Sequence, residues 1–229
     1  MTKHIFFDLD HTIWDFDRNA QETLTELYDQ YNLKGLGLNS CVEFIELYTS
    51  NNHSLWQQYH LGEITKEKLR EERFRKTFLE LGIRPEHVPH QFEDDYVRIS
   101  PTKTNLFAGA EKVLTYLQKK YQLHIISNGF KETTLTKMDL SGLNPYFTNV
   151  IISEDVGVNK PNKKIFEHAL EKAVAKKEES IMIGDSLEAD IRGAQDFGIK
   201  AIFFNPLNAE KPADVEWQIF HLEELLHHF

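Results

Sequence analysis

Short apolar segments, separated by helical patterns, constrain the fold of this chain more than any other feature of its sequence. The clearest segments cover residues 4–7, 123–126, 150–152, 180–183 and 201–204, with a weaker one at 217–220. Such runs are typical of strands that are buried on both faces of a parallel sheet. Helical patterns follow at 110–120, 131–140, 165–173 and 187–197. The alternation predicts an α/β fold with a three-layer, Rossmann-like core in which helices cover both faces of the sheet.

The stretch between the first two predicted strands breaks this alternation. It contains only helical patterns, at 20–31, 42–49, 65–81 and 93–99. We therefore expect an all-helical domain, residues 17–100, inserted into an α/β core made of residues 1–16 and 101–229. The charged run 66–75 predicts a solvated face on the third of these helices.

The charge balance limits the partners that we expect. The 229 residues include 36 acidic and 26 basic side chains, for a formal net charge of −10. This balance disfavours a surface for nucleic-acid polymers or anionic lipid, but a small anionic substrate is compatible with it. The lone Cys41 excludes an internal disulfide and a cysteine-based zinc site. With no apolar run of about 18 residues for a membrane span, we expect a cytoplasmic protein without a membrane partner.

Two aspartates, Asp8 and Asp10, directly follow the first predicted strand. Residues two apart on a strand point to the same side, so both carboxylates should reach the carboxyl end of the sheet, where open α/β sheets bind ligands. Two close carboxylates repel each other. A divalent ion, or a division of labour between a nucleophile and an acid/base, resolves the repulsion. The ordinary alternative is a pair of solvated or capping aspartates.

Two further motifs favour an anion at the same edge. Ser127, Asn128 and Gly129 follow the second strand, where a hydroxyl, an amide and the N–H groups of a helix start suit an anion. Lys160 follows the third strand and supplies a positive charge that suits a phosphate. Taken singly, an N-capped turn and a surface lysine before a proline are the commoner explanations.

A fourth motif follows the fourth strand and contains Asp185 and Asp190. The carboxylate of Asp185 is a hard oxygen ligand of the kind that magnesium prefers. Asp190 is a candidate to support the ligand residues or to hold Lys160. A Gly-Asp turn with an N-capping side chain is the alternative.

The four motifs together resemble those of the haloacid dehalogenase superfamily, in residues 8–12, Ser127, Lys160, and Gly184-Asp185 with Asp190. The resemblance covers essentially the whole chain, and the helical insert looks like that family's class-1 cap. The stretches 6–16, 127–129 and 184–194 also resemble bacterial pyrimidine 5′-nucleotidases of the house-cleaning type. Phosphoglycolate phosphatases and N-acylneuraminate-9-phosphatases share much of the pattern.

The resemblance implies a magnesium-dependent phosphomonoester hydrolase. Asp8 would be the nucleophile that forms an aspartyl-phosphate, and Asp10 the general acid and then the general base. The implied protein ligands of Mg²⁺ are Asp8, the backbone carbonyl of Asp10, and Asp185.

The same resemblance assigns phosphate binding to Ser127, Asn128 and Lys160, with Asp190 in a supporting role. The implied substrate is a small phosphorylated metabolite, first of all a pyrimidine nucleoside monophosphate. A sugar or organic-acid phosphatase is the main alternative, followed by a phosphomutase and a non-catalytic binding protein. The cap aromatics Trp56 and Tyr59 either stack on a base or pack the cap's own core. The sequence does not predict an oligomeric state.

Overall fold

The computed structural model describes residues 2–229, in which six strands form one sheet with parallel pairing throughout. Its strands are β1 (His4–Phe7), β2 (Gln122–Ser127), β3 (Asn149–Ile152), β4 (Ser180–Gly184), β5 (Lys200–Phe204) and β6 (Trp217–Ile219). Their spatial order is β3-β2-β1-β4-β5-β6, so the first strand lies at the centre. All four residues of β1 are buried, as its unbroken apolar sequence requires. The predicted α/β fold is confirmed.

Helices connect the strands and also form the long insert after β1. Their bounds are α1 (Phe16–Gln30), α2 (Cys41–His60), α3 (Lys66–Glu80), α4 (Phe92–Ile99), α5 (Ala110–Leu117), α6 (Lys131–Leu140), α7 (Ser153–Val156), α8 (Lys163–Ala173), α9 (Gly193–Phe197) and α10 (Leu225–His228). A π-helical turn, Leu187–Arg192, directly precedes α9, where the sequence predicts one regular helix. Within residues 2–229, no helix has the length and apolar character needed to cross a bilayer.

The prediction for α2 is wrong in its length, because the helix continues eleven residues past the predicted end at position 49. Its second half buries the polar residues Asn51 and Asn52. Asn51 Nδ2 donates to Thr77 Oγ1 at 3.2 Å and to Glu80 Oε2 at 3.1 Å on α3. A helix face that packs through amide hydrogen bonds leaves no apolar stripe in the sequence, so the periodicity stops too early.

The chain divides into two compact units. One consists of Thr104–Phe229 with the segment that ends at Phe16, and it contains the whole sheet. The other is Asp17–Lys103, which is helical and has its own core. That core is rich in aromatic rings, contributed by Tyr28, Phe44, Tyr48, Phe74, Phe78, Phe92 and Tyr96.

The helical unit also buries a cation that the sequence analysis assigned to solvent. Arg73 lies in the charged run 66–75, yet it is only 3 % exposed. Its guanidinium binds both carboxylate oxygens of Glu93, at 2.7 and 2.9 Å, and lies 4.8 Å from the ring centroid of Tyr96. The prediction of a solvated face is therefore wrong at this position, because a bidentate partner on α4 offsets the cost of burial.

Two neighbouring strands bury a pair of histidines, His4 on β1 and His124 on β2. His4 Nδ1 lies 3.1 Å from His124 Nε2, and the Asn149 amide lies 3.1 Å from His124 Nδ1. Burial and, to a smaller extent, the neighbouring His4 lower the pKa of His124 from 6.5 to about 4. The neutral ring is therefore the form that the fold holds.

We predict that His124 makes the unfolding free energy depend on pH below neutrality. The folded pKa lies below the unfolded value of 6.5, so this stabilisation is complete above pH 6.5 and disappears as the pH falls towards about 4. In urea unfolding, the advantage of wild type over His124→Gln should shrink by about 2 kcal/mol between pH 7.5 and pH 5. His168→Gln, at an exposed position, is the matched control. An advantage that does not change with pH would contradict the prediction.

Candidate active site

A buried lysine binds the first of the two aspartates. Asp8 extends β1 by one residue, since its backbone N–H donates to the carbonyl of Ile183 on β4 at 2.9 Å. Lys160, which follows β3, is 1 % exposed, and its Nζ donates to Asp8 Oδ1 at 2.6 Å and to the carbonyl of Ile126 at 2.7 Å. The structure therefore brings these two predicted site residues into direct contact.

Asp190 binds the same lysine from the other side. Its Oδ1 lies 2.6 Å from Lys160 Nζ, and its Oδ2 accepts from the backbone N–H of Ser186 at 3.1 Å. The Ser186 hydroxyl in turn accepts from the N–H of Ala189 at 3.2 Å and so caps the start of the π-helical turn. Residue 184 must be glycine here, because a Cβ at that position would collide with the Asp190 carboxylate. The turn after β4 thus aims Asp190 at Lys160.

Three carboxylates and one ammonium share this edge of the sheet. The pKa of Asp8 is raised to about 7, chiefly by burial, which Lys160 opposes and Asp190 reinforces. Burial also raises the pKa of Asp185 well above its usual range, and the carboxylates of Asp8 and Asp190 act in the same direction. Burial by itself would lower the pKa of Lys160, but Asp190 and Asp8 outweigh it and raise that pKa. The three carboxylates together carry more negative charge than the single ammonium of Lys160 neutralises.

The donor set at this edge fits a hard divalent cation. One carboxylate oxygen from each of Asp8, Asp185 and Asp190 lies within 4.8 Å of the others. Oxygen donors of this kind suit Mg²⁺, and the raised pKa values of Asp8 and Asp185 mark the negative charge that it would offset. The cluster contains the side chain of Asp190, for which the sequence analysis expected a supporting role.

Ser127 is the last residue of β2 and Asn128 follows it directly. Hydrogen bonds hold both side chains at this edge of the sheet. The Ser127 hydroxyl accepts from the N–H of Gly129 at 3.0 Å. The Asn128 side chain clasps the backbone of Lys160, donating to its carbonyl at 3.0 Å and accepting from its N–H at 2.8 Å. The Asn128 amide therefore positions the lysine segment, a role that the sequence analysis did not foresee.

Asp10 has a different cation as its partner. Its Oδ1 lies 2.6 Å from Nζ of Lys137, a buried residue of α6. Lys137 is not among the predicted site residues, because a lysine in a predicted helix is normally a surface residue. The sequence gives little signal for it, because Thr134, three residues earlier on the same buried face, is polar, while Leu135 and Leu140 of this helix are exposed. A lysine on such a face needs a buried partner.

The known proteins to which this chain is similar include hydrolases that act on phosphate esters. A family model described as haloacid dehalogenase-like hydrolase matches residues 2–198. The pyrimidine 5′-nucleotidase PynA of Streptococcus pneumoniae is 31 % identical over 98 % of this chain and 93 % of its own. The pyrimidine 5′-nucleotidase YjjG of Escherichia coli is 31 % identical over 96 % and 95 % of the two chains. A glyceraldehyde 3-phosphate phosphatase of Pyrococcus furiosus is 30 % identical over 98 % and 91 %.

A solved structure is similar over nearly the full length. It is that of the HAD-hydrolase YfnB from Bacillus subtilis bound to magnesium, with a TM-score of 0.88 and 29 % identity over 99 % of this chain and 98 % of that one. That protein thus binds, on a closely similar fold, the ion that the oxygen donors of this chain fit.

We predict that loss of the Lys160 ammonium destabilises the fold. Lys160→Met leaves Asp8 and Asp190 buried without their shared cation, and breaking a buried ion pair in this way costs about 3–5 kcal/mol. Chemical unfolding in the presence of a chelator measures the loss. Lys164→Met, at an exposed position four residues along the chain, should change the free energy of unfolding by less than about 0.5 kcal/mol. Equal effects of the two substitutions would show that the buried contacts contribute little.

Proposed function

The chain belongs to the haloacid dehalogenase-like hydrolases, and on that premise we propose that it is a magnesium-dependent 5′-nucleotidase for pyrimidine nucleoside monophosphates. The observation that carries the proposal is the contact between Lys160 and Asp8, beside oxygen donors that fit Mg²⁺. A carboxylate nucleophile needs such positive charge, because it otherwise repels the phosphate that it must attack. The relatives named pyrimidine 5′-nucleotidases support the choice of substrate.

In the first step, a carboxylate oxygen of Asp8 attacks the phosphorus of the substrate. The bond between phosphorus and the 5′-oxygen breaks, and Asp10 gives a proton to the departing nucleoside oxygen. The product is an aspartyl-phosphate on Asp8 and a free nucleoside. Ser127, the N–H of Asn128 and Lys160 hold the phosphoryl oxygens while the bonds exchange.

In the second step, water attacks the phosphorus of the aspartyl-phosphate. Asp10, now a carboxylate, takes the proton of that water, and inorganic phosphate leaves as the Asp8 carboxylate is regenerated. Asp8, Asp185 and the backbone carbonyl of Asp10 would hold Mg²⁺, which would supply positive charge that favours binding and transfer of the anionic phosphoryl group. Asp190 supports this arrangement by keeping Lys160 in place.

Residues 17–100 are proposed to act as a cap that selects the substrate. Trp56, Tyr59 and His60 form a group of rings on α2, with Trp56 centred 5.5 Å from each of the other two. Aromatic faces of this kind suit a nucleobase. The second candidate is a phosphatase for a sugar or organic-acid phosphate, which the likeness to a glyceraldehyde 3-phosphate phosphatase favours.

We predict that Asp8→Asn abolishes turnover, because an amide does not form the covalent intermediate. The loss in kcat should be roughly 10⁴-fold or more, measured as phosphate release from dUMP. Asp196→Asn, which changes an exposed aspartate on α9 in the same way, should retain wild-type activity. Substantial turnover by Asp8→Asn would rule out the covalent route.

A panel of phosphate esters tests the substrate class. We expect kcat/KM for dUMP, dTMP and UMP to exceed that for glyceraldehyde 3-phosphate, phosphoglycolate and an N-acylneuraminate 9-phosphate by at least about tenfold. Chelation should abolish activity towards all of them, and added Mg²⁺ should restore it. A higher kcat/KM for any of the non-nucleotide esters would favour the second candidate. Activity that survives chelation would contradict the metal dependence.

A further inference from the structure

Lys137 on α6 is a buried cation that the proposed reaction does not use. Its side chain is 6 % exposed, and its Nζ lies 2.6 Å from Asp10 Oδ1. The same ammonium lies 4.2 Å from the ring centroid of Trp14 and 5.3 Å from that of Phe16. Burying a lysine costs free energy unless its charge is offset, so this position needs both the carboxylate and the rings.

The backbone of the segment that carries Asp10 fixes one side of this contact. Asp10 forms an isolated β-bridge with Trp14, and the N–H of His11 donates to the carbonyl of Trp14 at 3.0 Å. His11 adopts a left-handed φ of +62°, which turns the chain back on itself. The turn places Asp10 and the fully buried ring of Trp14 where one ammonium contacts both.

Because Oδ1 of Asp10 contacts Lys137, the second carboxylate oxygen, Oδ2, faces Gly129 and Ser127 at the end of β2. A Cβ built on Gly129 would lie 3.1 Å from Asp10 Oδ2 and 3.1 Å from Ser127 Oγ. Oδ2 and the Ser127 hydroxyl therefore flank one point at the end of β2. While Oδ1 is bound to Lys137, the carboxyl group does not turn freely, and Oδ2 keeps this direction.

We propose that Lys137 is a positioning residue for proton transfer by Asp10. It holds Oδ1 so that Oδ2 faces the residues proposed to bind the phosphoryl group, from where it reaches the leaving oxygen. Lys137 itself touches neither substrate nor phosphate, since Asp10 and the Trp14 ring occupy its ammonium. The inference rests on the proposed function, because it requires Asp10 to act as the general acid.

The leaving group of the substrate distinguishes positioning from a structural role. Phenyl phosphate releases a poor leaving group that needs a proton, whereas 2,4-dinitrophenyl phosphate releases a phenolate that needs none. In the holoenzyme with Mg²⁺, Lys137→Met should lower kcat/KM for phenyl phosphate by about tenfold to a hundredfold and for 2,4-dinitrophenyl phosphate by less than about threefold. Because kcat/KM covers only the steps up to departure of the alcohol, the later hydrolysis of the aspartyl-phosphate does not enter the comparison.

Three further variants complete the experiment. Asp10→Asn should show the same selective loss to a greater extent, and Lys137→Arg, which keeps charge and N–H donors, should restore part of the activity towards phenyl phosphate. Lys131→Met changes another lysine of α6, whose side chain is half exposed and whose Nζ lies 2.5 Å from Asp155 Oδ1. This variant should leave kcat/KM for both esters unchanged. If Lys137→Met is recovered only unfolded, Lys137→Arg carries the comparison, with a smaller loss that is again confined to phenyl phosphate.

An equal loss towards both esters, or no loss, in the folded variant would overturn the inference. Failure of the proposed function has a different signature, since wild type would then release no phosphate or Asp8→Asn would remain active. The two conclusions are therefore separable in one set of measurements.

Discussion

The contact of Lys160 with Asp8 and Asp190 is the interaction on which the site depends. The three residues come from the end of β1, the segment after β3 and the π-helical turn after β4, so the ammonium joins three separate parts of the sheet edge. Buried charges of one sign are costly, and a shared counter-charge offsets that cost. Several local features serve this contact, namely the Asn128 clasp on the Lys160 backbone, the glycine at 184 and the Ser186 cap.

The two aspartates that follow β1 have different environments. Asp8 lies against Lys160 in the carboxylate cluster, while Asp10 lies against Lys137 and the Trp14 ring. In the proposed reaction these two carboxyl groups, two residues apart, take different tasks, Asp8 the attack and Asp10 the proton transfer. Each lysine reaches its aspartate from a distant part of the sequence, so the separation of roles depends on the tertiary structure.

Much of the fold could be predicted because a parallel sheet leaves a strong trace in the sequence. Strands buried on both faces are continuous apolar runs, and the strands of the structure match those runs to within a residue or two. The errors fall where polar groups are buried. Asn51 and Arg73 are satisfied by partners on neighbouring helices, and neither hydropathy nor periodicity records a partner that is distant in sequence.

The sequence by itself determined the α/β class, the strands, the family, and the residues Asp8, Asp10, Ser127, Lys160 and Asp185 as candidates at one edge of the sheet. The reason is that the ends of parallel strands meet at the same edge, so residues that follow strands share a location. Only the tertiary structure decided which charges pair, and it assigned Lys160 to Asp8 and Asp190, and Lys137 to Asp10. Ion pairing depends on distances of a few ångströms between side chains from different elements, and these distances follow from packing rather than from spacing along the chain.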